Sequence, residues 1–183
     1  EKYHIPVAST LKAKGVFPEN HPLSLGVFGY AGTHHATLAL LNGDKDNTGC
    51  PNAGIDDNRL LLVLGSSLNQ RDTMRWDEHL KPGAGIYQVD VNIAGFSKNF
   101  PVDVGINGDV KTLLEWLLEK EQSDLLTPLL EGNEQRRQWL ASVTARERYY
   151  QNEDRQSTAI PMHPARVMTE LQIIAPQDTV IIA

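Results

Sequence analysis

Cysteine is almost missing from this chain: Cys50 is alone among 183 residues. One thiol closes no internal disulfide and supplies no multi-cysteine zinc site, so the composition points to a reducing cytoplasm rather than to secretion. Basic residues are also short, with 17 Lys and Arg against 23 Asp and Glu and a net charge of −6. Non-specific nucleic-acid binding, which needs clustered cations to neutralise phosphates, is excluded as a function class. No apolar run approaches a membrane span, and the first residues do not read as a signal sequence, so no membrane partner is expected. What remains, 40% hydrophobic and 22% charged, is ordinary for a soluble domain long enough to bury a sizeable core.

The chain opens on "EKYHIPVAST" and closes on "QDTVIIA", in the middle of what reads as a strand. Natural termini are usually polar and loosely held, so element-like sequence at both ends predicts a piece of something longer.

The stretch "GVFGYAGTHH" sets Gly26, Gly29 and Gly32 directly before the apolar run "ATLALLN". A helix entered through such a loop points free N–H groups at whatever sits in front of it. The spacing is not the G-x-G-x-x-G of dinucleotide loops, and the nearest acids, Asp44 and Asp46, stand in a polar loop rather than at a strand end. From spacing alone the stretch is either a structural turn with a helix cap or an anion loop.

Along the chain, Ile5 to Ser9 reads as a short strand, "TLKAKGVFPENHPLSLG" as a Gly/Pro-rich loop, and residues 32–42 as a helix. "LLLVLG" at 60–65, "GIYQVDV" at 85–91 and "VDVGI" at 102–106 read as strands, with "RDTMRWDEHLKPG" as a crossover holding a short helix. "GDVKTLLEWLLEKE" at 108–121 is the clearest helix. Asp109 is its N-cap, and Val110, Leu113, Leu114, Leu117 and Leu118 repeat at helical spacing. "RRQWLASVTARERYYQNEDRQS" reads as a surface helix and linker, and "PMHPARVMTELQIIAPQDTVIIA" restarts a helix–strand unit.

Strands that are apolar throughout, alternating with helices, predict an α/β fold with a parallel sheet covered on both faces. Ligands of such sheets bind outside the carboxyl ends of the strands. The loops Gly65 to Leu68, Asp90 to Ile93 and Asn107 to Val110 should therefore share one edge, with Asp90 placed for a pair of ribose hydroxyls.

"IPVASTLKAKGVFPENHPLSLGVFGYAGTHHA", "LLLVLGSSL", "IYQVDVNIAGFSKNFPVDVGINGDV" and "IPMHPARVMTEL", in this order, resemble the central domain of thiamine-diphosphate-dependent enzymes of the acetolactate synthase and oxalyl-CoA decarboxylase type. The resemblance spans about residues 5–120 and 160–183, the latter being the start of the pyrophosphate-binding domain. It implies a Rossmann-like parallel sheet with helices on both faces that lacks its first strand–helix unit. It divides the chain into a central domain at 1–122, a helical linker at 123–160 and the start of the next domain at 161–183.

It further implies a parent enzyme, a decarboxylase, lyase or acetolactate-synthase-like transferase, acting on a 2-oxo acid or acyl-CoA through thiamine diphosphate and Mg²⁺. The Gly-Asp-Gly…Asn motif that holds both is absent here, since "NGDVK" at 107–111 lacks the second Gly. This chain is thus expected to bind neither, to carry no catalytic residue and to be inactive alone. Its partners would be the pyrimidine-binding and pyrophosphate-binding domains of the parent chain, in a homodimer or homotetramer.

In the family the central domain holds FAD, ADP or nothing. Carried over by position, the contacts are Thr10 and Leu11, Gly29, Gly32 and Thr33, Gly65 and Ser66, Asp90 and Val91, and Gly108, Asp109 and Val110. Two positions depart from the pattern: Ser67 replaces a basic residue and Asn92 replaces a second acid. A free-standing flavin- or NAD-binding module and a ligand-free oligomerisation domain are the alternatives. A sirtuin-type sheet is disfavoured, because its zinc ribbon needs four cysteines and the chain has only Cys50.

Other residues carry no chemistry. His34 and His35 are adjacent, face different sides of a helix and suit capping or surface roles rather than a shared metal. Asp44, Asp46, Thr48 and Gly49 begin like a calcium loop, yet Ile55 stands where the bidentate Glu belongs, which predicts a solvated insertion. Cys50 has no basic neighbour and is a bystander. Trp116 and Leu117 are expected in a core or interface, and Trp76 and Trp139 are core residues or line a subunit contact.

Overall fold

The computed structural model describes residues 2–41, 58–80, 82–122, 124–176 and 178–179. The calcium-like loop, Cys50 and the terminal "VIIA" lie outside the described residues. The chain forms two compact units, residues 1–148 and 149–183.

In the first unit, β1 (Val7–Ser9) is followed by a 3-10 turn (Leu11–Ala13), β2 (Ser24–Val27) and α1 (His34–Leu40). Then come β3 (Leu61–Leu64), β4 (Ile86–Asp90), β5 (Val104–Asn107) and α2 (Val110–Glu119). Two further helices, α3 (Pro128–Glu131) and α4 (Asn133–Thr144), complete it. All pairings are parallel: β1 with β2, and β3 with β4 with β5. The expected Rossmann-like α/β architecture is what the chain adopts, but in two sheets. Among the described residues no strand pairing joins the two sheets.

One core joins the two sheets. Leu25 and Phe28 from the β2 side cluster with Ala36, Leu38 and Ala39 of α1 and with Val63 and Ile86. Burying each large aliphatic side chain contributes about 1.5–3 kcal/mol. α1 starts at Thr33, whose hydroxyl donates to Leu25 O (2.5 Å) and accepts from Ala36 N (3.3 Å). This single side chain fixes the helix start and ties it to β2.

Five expectations are corrected by the fold. β2 lies inside the stretch read as loop, because parallel pairing to β1 and burial of all four residues outweigh the weak strand propensity of Ser24 and Gly26. The crossover after β3 holds no helix among its described residues; residues 70–76 are turns, with Met74, Arg75 and Trp76 at φ of 53°, 67° and 58°. α4 is more than a surface helix, since Val143 is fully buried and Trp139 and Leu140 pack on the core. α2 buries none of its residues fully, and Leu114, Trp116 and Leu118 are exposed, so its apolar stripe has no complete partner here.

His35 corrects the surface reading of the histidine pair: it is buried, with Nε2 at 2.7 Å from Arg146 O, while His34 Nδ1 lies 3.1 Å from Glu147 O. Both rings therefore clasp the segment that follows α4.

The second unit holds α5 (Asn152–Arg155) and α6 (Pro164–Ile174). His163 caps α6, its Nδ1 accepting from Ala165 N at 3.3 Å, and Arg166 pairs with Glu170 one turn on.

Candidate functional site

The site is best built from β4, whose neighbours set its edge. Tyr87 to Asp90 pair in register with Val104 to Asn107, and Leu61 to Leu64 with Ile86 to Val89, so all three strands end level. Their exits are then tied by amides. Gln88, buried inside an otherwise apolar strand, donates from Nε2 to Ser66 O (2.9 Å). Asn107 Nδ2 donates to Asp90 O (3.1 Å) and Val91 O (3.0 Å), and Asn99 Nδ2 to Ser67 O (2.9 Å). Of these, Asn107 lies in a loop expected at this edge, whereas Gln88 and Asn99 were not anticipated. The signal was there for Gln88, since a carboxamide within "IYQVD" needs a buried partner.

Gly65, Ser66, Asp90, Val91, Gly108, Asp109 and Val110 are brought together by this arrangement. Gly65 N donates to Val89 O and Gly108 N to Asp90 O, and a Cβ on Gly65 would meet only Val110 Cγ2 at 3.6 Å. Gly108 has open space around it. Asp90 is half-buried and accepts Asn92 N at Oδ1 (2.8 Å), and Asn92 Oδ1 accepts Ala94 N. An anchored carboxylate at a strand end, beside an open glycine, suits a diol such as a ribose. It does not suit a phosphate, and neither does the start of α2, because Asp109 occupies the cap and accepts Thr112 N (3.0 Å).

Gly29, Gly32 and Thr33 form a separate group at the exit of β2. Five amides of this stretch are engaged by the protein itself. Tyr30 N donates to Arg71 O, Gly32 N to Gly29 O, Thr33 N to Val27 O, His34 N to Arg148 O and Ala36 N to Thr33 Oγ1. These donors are already spent on protein. The glycine faces are also filled: a Cβ on Gly29, at φ +112°, would stand 2.5 Å from Arg71 O, and one on Gly32 2.4 Å from Val27 O. The stretch is a close-packed turn and cap in which Gly29 admits the backbone of the loop after β3, and Gly32 that of Val27 and Gly29 in its own turn. Thr10 and Leu11 stand at the exit of β1, where their hydrogen bonds are local, Thr10 O accepting Ala13 N and Leu11 O accepting Lys14 N.

Residues 1–45 match the family described as "Thiamine pyrophosphate enzyme, central domain". Over 120 residues the chain is 32% identical to an acetolactate synthase of Arthrospira platensis, a match covering 66% of this chain and 18% of that protein. A probable acetolactate synthase large subunit of Methanocaldococcus jannaschii is 35% identical over 114 residues, 62% of this chain and 17% of that one. Its counterpart in Methanococcus aeolicus is 28% identical over 180 residues, 95% of this chain and 26% of that one. The chain is thus similar to the thiamine pyrophosphate enzyme central domain over its first 45 residues and to part of acetolactate synthases over most of its length. It spans between 17% and 26% of the length of these curated relatives.

Within this central domain no group of three or more His, Cys, Asp or Glu among the described residues is placed to hold a metal ion. No described helix is long and apolar enough to cross a membrane.

Proposed function

We propose that this central domain is scaffold for an enzyme that makes or breaks a bond beside the carbonyl of a 2-oxo acid or acyl-CoA, and that its strand-end edge takes an adenine nucleotide, ADP or FAD. Thiamine diphosphate with Mg²⁺ supplies the electron sink in such an enzyme. In this reading that group sits in the pyrimidine- and pyrophosphate-binding domains of a longer parent. The division at 122 and 160 and assembly into a homodimer or homotetramer in the cytoplasm belong to the same proposal.

The observation that carries the nucleotide reading is the shared edge of β3, β4 and β5. Asp90 is fixed by Asn92 N and by Asn107, with Gly65 and Gly108 open on either side. In this arrangement Asp90 accepts both ribose hydroxyls, and the adenine lies against Val91, which is 70% exposed, and Val110. The test is a thermal-shift panel of ADP, FAD, NAD and CoA on the complete protein. Stabilisation by ADP or FAD that disappears in Asp90→Ala supports the placement, and unchanged stabilisation in that variant removes it.

A ligand-free assembly role is favoured by one other observation. β5 and α2 together leave Val104, Ile106, Leu114, Trp116 and Leu118 exposed at one end of the unit. An apolar end of this kind is what a covering domain or subunit would bury.

A further inference from the structure

α4 is fastened at both of its ends, and what it fastens are two distant parts of the first unit. At its start, Asn133 Nδ2 donates to Lys2 O (2.9 Å) and Arg136 Nε to Tyr3 O (2.9 Å). Along its length, Val143 is fully buried and Trp139 and Leu140 pack on the core. Past its end, the carbonyls of Arg146, Glu147 and Arg148 lie outside the helix ladder and need other donors.

The histidine pair at the start of α1 takes all three. A carbonyl only accepts, so the ring nitrogen that faces one carries the proton. His35 Nε2 donates to Arg146 O (2.7 Å), His34 Nδ1 to Glu147 O (3.1 Å) and His34 N to Arg148 O (2.9 Å). His35 is buried and its Nδ1 is unpartnered among the described residues, so the ring is committed to Arg146 O. Arg148 then reaches back, its guanidinium donating to Glu19 O (3.0 Å) and Ser24 O (3.5 Å). One residue later the attachment changes. Tyr149 begins the second unit, where the Arg155 guanidinium lies 4.3 Å from the centre of its ring.

We propose that α4 and the His34–His35 clasp form a strap that holds the chain as far as Arg148, so that the joint to the second unit is the short step from Arg148 to Tyr150. The clasp is built on α1, whose start is already fixed by Thr33, and the departing chain is the guest. α4 then belongs with the first unit, and of the linker at 123–160 only the part from Tyr149 onward connects.

The experiment is limited trypsinolysis of the complete protein, with cut sites read by mass spectrometry and each rate expressed relative to the cut after Arg155. Arg146 and Arg148 lie inside the clasp, and Arg155 lies beyond it. Arg146 is exposed, so the hold on its backbone is what keeps the protease off. In wild type the cut after Arg155 comes first, and those after Arg146 and Arg148 are slower by about 10-fold or more. His34→Ala removes one hydrogen bond of the clasp and speeds both slow cuts about 5- to 10-fold. His34→Asn restores the resistance, because its Nδ2 stands where the ring Nδ1 stood. Arg148→Met, at a half-buried side chain, gives the same gain at Arg146 and decides the matter should His34→Ala not fold. Val63→Ala, a core change on β3, leaves both ratios as in wild type. Wild-type cuts after Arg146 or Arg148 as fast as the cut after Arg155 overturn the proposal. So do equal ratios in His34→Ala and Val63→Ala.

Discussion

β2 and β5 are both four-residue strands on the outer side of a parallel sheet, yet β2 is buried at every residue and β5 exposed at every residue. The difference is what lies over them. β2 is covered by α1, and the Arg148 guanidinium reaches Glu19 O (3.0 Å) and Ser24 O (3.5 Å) beside it. β5 is followed by a helix of stronger apolar periodicity, but α2 leaves Val104 and Ile106 38% and 37% exposed. An amphipathic sequence therefore says that a face wants cover; it does not say that its own domain provides it.

The comparison is most sharply broken at the β2 exit. Gly29→Ala forces a side chain into a left-handed backbone and against Arg71 O, and unfolding titrations should show a loss at or above about 4 kcal/mol, the top of the single-substitution range. Leu25→Ala, in the covered strand, should cost about 3 kcal/mol by the same measurement, as large-to-small core changes do. The two helix caps come next. Thr33→Ala removes a buried cap with a second hydrogen bond and should cost about 2 kcal/mol, against about 0.5–1 kcal/mol for the exposed Asp109→Ala. Smallest is Ile106→Ser, expected within about 0.5 kcal/mol in the 183-residue chain, as at other surface positions. In the complete protein the same change should exceed about 1 kcal/mol, because burial of an apolar side chain is then lost. Equal small effects in both would show that the β5 end stays in solvent.

The strands that were legible in the sequence are the ones with continuous apolar runs ended by Gly or Asp, namely β3 and β4, found within one residue of their expected bounds. β5 begins two residues later than "VDVGI" suggests; Asp103, just before it, donates its N to Ile86 O (2.9 Å) and accepts Ile86 N at its carboxylate (2.8 Å). β2 was hidden because Ser and Gly carry little strand signal, and only its partner β1 makes it a strand. Of the site, the strand-end group around Asp90 follows from sheet physics. The buried amide of Gln88 and the amides of Asn99 and Asn107 find partners that depend on which loops meet, which no local pattern encodes.

What the sequence by itself determined is local and periodic. It set the alternation of apolar strands and helices that makes a parallel α/β sheet, the Asp109 cap, and the level strand ends that put Gly65, Asp90 and Gly108 on one edge. These depend on residues close in the chain or on a period that any observer can count. The tertiary structure alone decided the rest. It spent the amides of the glycine turn on Arg71, Val27 and Arg148, buried His35 against Arg146, and twisted Met74 to Trp76 into a left-handed turn. Each of these outcomes depends on backbone groups far apart in sequence competing for the same donors and the same space, and that competition is settled only when the loops pack.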